Sequence, residues 1–600
     1  MSAELSSTRG RARSLTARLA AVAIAASTVV AAAAVPAASA VTRATVVPAS
    51  VQAAAVPGGA SQYVPLTPQR IARTSWNGTE APWGFTTVNS TTIRVKVTDR
   101  AGVPATTKTA VISILASSAV GAGTVTVYPS LTPRPVTTNV TIDKSGRRVI
   151  NLAHVRLGSD GSFELYRSKA FPIIIDLVGV YTSVTDTVSE GRFVLRPGGA
   201  TRALDTRAAA GTATNLQGIP RLAAGTTATV NLAPFDVPSG AIAAVVNITA
   251  VTAAAGRWAA WSDGTSMPGT SVLVTDAPNQ TRAGQAIVAL FGGTQSIKVY
   301  SAAGGHLIVD LIGWYTGSGG ARSSDGLFIP RYTPVRRLDT TKLVSLAPWN
   351  GSTYEFTVPN PYSCTGCVGS AVYNVSASLP WSNGYVTVYP AGQSRPGIST
   401  LNLNQWRQAI SNAAIGGVSV RGGAIYTLAG AHMQVDVTGI FLGTPMSAPN
   451  AKPANLSLKP NVAARVYSYD ASVNVAIRTG TNLDYVADLG YAAGWTDRTN
   501  VAQRGNIMLF AHRTKGTGPF RYLDQFSVNE KFILRGSDGH KYVYLVVDRR
   551  VVRPDYSTIN AIATPYGPAT AQLVACSRAD GTPTSLYYRI VVTGRLIKVV

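Results

Sequence analysis

The feature that most constrains this chain is a unit of about 130 residues that occurs three times. Its opening lines are YVPLTPQRIART from Tyr63, FVLRPGGATRALDTR from Phe193 and FIPRYTPVRRLDTTK from Phe328. Its closing lines are IIIDLVGVYT, HLIVDLIGWYTG and HMQVDVTGIFLG. Arg70, Arg202 and Arg336 align in the openings, and Asp176, Asp310 and Asp436 align in the closings. Interior lines match as well: VVNITAV around Asn247 with VYNVSAS around Asn374, and TVTVYP ending at Pro129 with YVTVYP ending at Pro390. These runs alternate β-branched and small residues and are bounded by Gly, Pro, Asn and Ser, the signature of strands and turns, with no amphipathic helix visible. The reading is all-β, one sandwich-like or barrel-like domain per repeat. A period this long predicts three self-sufficient domains in tandem, at 63–183, 193–317 and 327–443, and not a solenoid whose units need their neighbours.

What precedes the repeats reads as an export signal. Arg9, Arg11, Arg13 and Arg18 lead into an apolar stretch from Leu19 to Val35, followed by Ala38-Ser39-Ala40. A basic segment, a short apolar segment and a small-x-small site over residues 1–40 predict secretion with cleavage after Ala40, and residues 41–62 read as a linker. Left uncleaved, the alanine-rich stretch is a marginal membrane anchor. The net charge of +25 draws an exported protein to anionic surfaces such as cell-wall polymers. Lys and Arg are scattered without a nucleic-acid motif, so no nucleic-acid partner is expected.

The repeats resemble a β-rich module with an F-x-P-x-x-P-x-R-x-L-D-T-R opening found in secreted and surface proteins of actinobacteria. The recurring Arg and Asp suit either a sugar or wall-polymer site or a buried, hydrogen-bonded structural pair. Arg73 stands where the other repeats carry Asp205 and Asp339, which degrades any shared site in the first repeat. His306 and His432 share one position, with Phe171 in the first repeat. No second ligand recurs beside them, so the expectation is packing and no metal.

Three cysteines leave one thiol over. Cys364-Thr-Gly-Cys367 predicts a small local disulfide in an oxidising setting. After a Pro/Ala/Asn-rich joint at 444–456 the repeat pattern ceases, and residues 457–600 contain Cys576. It lies in the strand-like QLVACS, followed by the loop RADGTPTS and by YYRIVV with Arg589; upstream, GNIMLFAHR carries His512 where an apolar strand ends. A thiol attacks as thiolate and needs a cationic or basic partner. Histidine can give a proton to a departing amine and take one from an incoming amine. Arginine keeps its charge and can hold a developing oxyanion with its planar fork. Taken singly, the three also read as a core cysteine, a surface histidine and a solvated arginine. His540, in a turn with Ser537, Asp538 and Gly539, reads as an ordinary turn residue.

From about Val473 to the C-terminus the chain resembles the sortase family of cysteine transpeptidases. GNIMLFAHR is similar to the strand ending in the family's histidine, GPFRYLDQF to the F-x-x-L element after it, and GHKYVYLVVDRRVVRPD to its paired aromatic strands. LVACS is similar to the strand carrying the nucleophile, and YRIVV to the strand carrying the essential arginine. The resemblance implies a closed β-barrel with His512, Cys576 and Arg589 as catalytic residues. It implies a thioester acyl-enzyme formed from a sorting-signal peptide and released by an amine of the cell wall or of a surface protein. That scheme needs no cofactor, and no acidic cluster points to calcium. The chain departs from the family pattern at Ala575, where threonine is usual, at Asn529-Glu530 in place of Gly-Asp, and at SVNVAIRTGTN in place of Ile-Pro-x-Ile. The competing expectation is a non-catalytic adhesin or wall-binding stalk with a decayed sortase fold.

Overall fold

The computed structural model describes residues 56–600 apart from 75–80, 118–119, 344–347, 349–350, 361–365, 381, 406–407, 453–462, 469–470, 480–482, 495–505, 516–517, 538, 556–557, 559–568 and 584. The export signal and Cys364 lie outside the described residues. Among the described residues no helix is long and apolar enough to cross a membrane.

Each repeat folds as two packed antiparallel sheets around its own apolar cluster. The inner sheet of the second repeat is built from Phe193–Leu195, Thr201–Asp205, His306–Tyr315, Ala243–Ala253 and Gln280–Ala289. The outer sheet orders Thr226–Asn231, Ser296–Ser301, Gly256–Ser262 and Leu273–Thr275. The inner strands of repeats one and three join into one eight-stranded sheet where Ser61 pairs with Phe328.

The sequence motifs acquire physical reasons here. In every repeat the opening strand pairs antiparallel with the closing strand, with Arg70 opposite Asp176, Arg202 opposite Asp310 and Arg336 opposite Asp436. A register shift follows each arginine at the same place, so one extra residue bulges and re-aims the strand. Three residues after each aspartate stands Gly179, Gly313 or Gly439. A Cβ at these glycines would collide with the ring of Tyr63, Phe193 or Phe328, the aromatic that starts each opening strand. Thr74, Thr206 and Thr340 clamp the two strands at the far end: their hydroxyls accept from the backbone N–H of Ile173, Leu307 and Met433 at 2.8, 2.9 and 2.8 Å. Nδ1 of His306 and of His432 lies 3.2 Å from the hydroxyl of Thr206 and of Thr340, and Phe171 is fully buried, consistent with packing roles.

The repeats own separate cores, yet they are not self-sufficient beads. A further apolar cluster takes residues from all three, including Tyr63, Tyr181, Phe193, Tyr315, Phe328 and Phe441. Its rings pair cyclically. Tyr63 stacks on Tyr315 of the second repeat at 4.3 Å, Phe193 packs on Phe441 of the third at 4.7 Å, and Phe328 stacks on Tyr181 of the first at 4.2 Å. The arginines follow the same cycle. Each donates Nε to its own aspartate at 2.7–2.9 Å, and Nη2 to a backbone carbonyl of the next repeat: Arg70 to Gly269, Arg202 to Gly397, Arg336 to Val136. Ser113 Oγ, Asn247 Nδ2 and Asn374 Nδ2 repeat the pattern toward Ser271, Ser399 and Thr138. The Arg–Asp pair is therefore a seam element: the aspartate side chains are 4%, 1% and 1% exposed. Burial pushes the Asp310 carboxyl up to about 6 despite Arg202, so desolvation outweighs the attraction of the pair.

The remaining strands form a closed barrel in the order Ala463–Ser468, Val473–Thr479, Ala492–Gly494, Asn506–Phe510, Thr570–Ser577, Tyr588–Val599, Lys541–Val552 and Lys531–Gly536. Its interior is filled by alternate residues of these strands, among them Leu509, Leu573, Ala575, Val592, Phe532 and Tyr544. Asn529 takes the left-handed conformation, φ 80°, in the turn leading to Lys531–Gly536. Asparagine tolerates that conformation at the place where the family pattern has glycine.

Candidate active site

Strand register pairs two of the three proposed residues, and the third follows the end of the neighbouring strand. Asn506–Phe510 runs parallel to Thr570–Ser577 with Phe510 opposite Val574, and the Ala511 N–H donates to the Val574 carbonyl at 3.3 Å. Two residues further along each segment come His512, just past the end of the first strand, and Cys576, still within the second. On the other side of the same strand, antiparallel pairing sets Arg589 opposite Cys576. Because Ala575 is buried in the barrel core, alternation turns Val574 and Cys576 to the outer face. There Val574 packs with Met508 and Val591, and Cys576 is a half-buried free thiol.

His512 and Arg589 each have partners that orient them. His512 Nε2 lies 2.7 Å from Asp488 Oδ1, at the end of the short helix Leu483–Asp488, and Lys515 Nζ donates to the same oxygen at 2.7 Å. Lys515, and then His512, hold the Asp488 carboxyl below the usual carboxylate range. Arg589 donates Nη1 to the carbonyls of Leu586 at 2.7 Å and Tyr588 at 2.9 Å, which ties it to the end of the loop that leaves Cys576.

Arg513, next to His512, is the most deeply buried cation of the site, its side chain 1% exposed. It donates to the Gly581 carbonyl at 2.7 Å and to the Arg521 carbonyl at 2.8 Å, and pairs with Asp524. Burial lowers its pKa, opposed by the charges of Asp524 and Cys576. One side chain thus fastens the loop after the histidine to the loop after the cysteine. The first of these loops is closed by Phe520 N–H on the His512 carbonyl at 3.1 Å, and Phe520, Leu523 and Phe526 are fully buried in the barrel. That burial is the physical content of the F-x-x-L element.

A free thiol with an arginine opposite it on one neighbouring strand, and a histidine two residues past the end of the other, is a set of side chains that could supply the nucleophile, proton carrier and fixed cation of acyl transfer. Residues 466–597 match the sortase domain family. The sortase match contains His512, Cys576 and Arg589 and spans nearly the whole barrel. Similar solved structures are the SrtA sortase from Actinomyces oris (18% identity, 25% of this chain and 88% of that one, TM-score 0.21) and sortase A of Listeria monocytogenes (20% identity, 23% and 89%, TM-score 0.20). Sortase E1 from Streptomyces coelicolor, solved with a tripeptide in its active site, is similar at 18% identity over 23% of this chain and 90% of that one, with a TM-score of 0.21. Comparison with curated proteins finds no match.

Asp488, Arg513 and Lys515 escaped the sequence reading. Arg513 carried a signal in its position beside His512, whereas Asp488 lies 24 residues before its partner in a helix with no motif. In the third repeat Cys367 is disulfide-bonded, and Cys364 lies outside the described residues.

Proposed function

We propose that the barrel is a sortase-type cysteine transpeptidase acting at the cell surface. Cys576 attacks the carbonyl of a Thr-Gly-type bond in a sorting-signal peptide, giving a thioester. His512 protonates the departing amine and then takes a proton from the incoming amine of the cell wall or of another surface protein. Arg589, set opposite Cys576, holds the tetrahedral oxyanion. Asp488 and Arg513 act through other groups, the first orienting His512 and the second bracing the two loops. The observation that supports this reading is the register that sets Arg589 opposite Cys576 and ends the neighbouring strand two residues before His512, all within the sortase-matched stretch. The protein is secreted or wall-associated, or membrane-anchored if residues 1–40 are retained, and the repeats position the barrel at the wall. Cys364 is the proposed partner of Cys367.

Mass spectrometry of the full chain incubated with sorting-signal peptides, with and without an amine acceptor, tests the proposal. A Cys576-linked acyl adduct that the amine converts to ligated product is expected. Hydrolysed product alone would make the enzyme a peptidase, and no adduct with any peptide would favour the non-catalytic stalk.

A further inference from the structure

The three seams of the repeat body are built alike but not filled alike. Asp143, Asp276 and Asn404 occupy one equivalent position, just after the strands Val140–Ile142, Leu273–Thr275 and Leu401–Leu403. Asp276 accepts from Arg147 of the first repeat at 3.0 Å, and Asp143 from Gln405 of the third at 3.1 Å. Asn404 instead exchanges two neutral hydrogen bonds with the Thr281 backbone of the second repeat, at 2.9 and 2.7 Å. A second position differs in the same direction. Arg257 lies over the Tyr300 ring of its own repeat and 3.4 Å from the Thr270 carbonyl, where the third repeat carries Tyr385.

Beside Asn404, between repeats two and three, lies a cleft of about 500 Å³. Its volume is within the range of small-molecule sites. The charges along its wall cancel internally. Arg202 is held by Asp310 at 2.9 Å, and Arg207 forks onto Asp205 at 2.8 and 2.7 Å. What the cleft offers a ligand is neutral: the amides of Asn279 and Asn383, one exposed on each wall, and the phenol ring of Tyr385, whose hydroxyl accepts from Arg395 at 3.0 Å. Side-chain amides serve adjacent hydroxyls as both donor and acceptor, and an aromatic ring covers the C–H face of a sugar. Neither arginine that lines the cleft is left for a polyanion, and Arg395, outside the lining, lies over the Tyr426 ring.

We propose that this cleft binds an uncharged glycan chain, and that the repeat body is in this respect a carbohydrate-binding module independent of the barrel's chemistry. The test is calorimetric titration of the full-length protein carrying Cys576→Ala with chitotetraose, cellotetraose and mannotetraose, and with polyphosphate as the anionic comparison. At least one neutral oligosaccharide should bind with an affinity insensitive to salt. Tyr385→Ala and Asn383→Ala should each weaken binding about tenfold or more, one lost stacking or hydrogen-bond contact being worth about 1–1.5 kcal/mol. Tyr385→Phe should retain most of the affinity. Thr124→Ala, at the matching position of the first repeat, should change nothing. Failure of every neutral oligosaccharide to bind, binding unaltered in both alanine variants, binding lost in Thr124→Ala, or salt-sensitive binding of polyphosphate alone would overturn the proposal. Because Cys576 is already absent, none of these outcomes bears on the transpeptidase reading.

Discussion

Arg202 in the repeats and Arg589 in the barrel are both partly buried guanidiniums on antiparallel strand pairs, but they are committed differently. Arg202 spans a buried aspartate of its own repeat and a carbonyl of the next, and symmetry-related arginines do the same. Arg589 is tethered to loop carbonyls opposite a free thiol. A charged pair that recurs with each structural unit is architecture, whereas Arg589 stands once, opposite a free thiol and tied to loop carbonyls. The two regions should therefore fail independently.

The largest expected effect is Cys576→Ala, which should remove the acyl adduct and lower kcat/KM by about 10³-fold or more, with urea unfolding unmoved. In the body, Arg202→Ala leaves Asp310 buried without its partner and should cost about 3–5 kcal/mol, read by urea unfolding, while thiol labelling of Cys576 keeps its rate. Acid separates the regions further. His154 is fully buried with neither ring nitrogen hydrogen-bonded among the described residues, and burial pushes its pKa down to about 3. An unfolded histidine titrates near 6.5, so the stability tied to neutral His154 is complete above that pH and lost as pH falls toward 3. Asp310 works the other way, because its raised pKa adds stability as pH falls through about 6. His154→Phe should therefore gain about 3 kcal/mol on wild type between pH 7 and pH 4, measured by melts of the body. The smallest effect is at Asp488: Asp488→Asn keeps the shape of the His512 contact without the charge and should lower kcat/KM about tenfold. An unaltered rate would make Asp488 a surface ion pair only.

The pairing of each opening strand with its closing strand came only with the structure, whereas the all-β class, and His512, Cys576 and Arg589 as candidates, could be read before any coordinates, because two-residue alternation reports strands directly. The cyclic seams could not. Their acceptors are the carbonyls of Gly269, Gly397 and Val136, and a backbone acceptor leaves no trace in side-chain identity. The shared aromatics were equally hidden, since Tyr63 or Phe328 would suit the interior of a solitary sandwich as well as a joint core. Ala575 and Asn529 show how departures from a family pattern are absorbed locally, the one lining the barrel interior and the other adopting a left-handed turn.

The pairing of Ser61 with Phe328, and of Phe328 with Phe441, has a mechanical meaning. The body's first and last strands begin and end at the same edge of one sheet, two strand spacings or roughly 10 Å apart. Tension between an anchored N-terminal segment and a barrel engaged with its substrate would thus not run through the length of the body. It would peel the first strand from Ile173–Ser183 and the last from Phe328–Asp339, one hydrogen bond at a time from that edge. Such a body opens along those two strands, the last of which must also leave Val368–Ser378, while the middle repeat lies off the line of load.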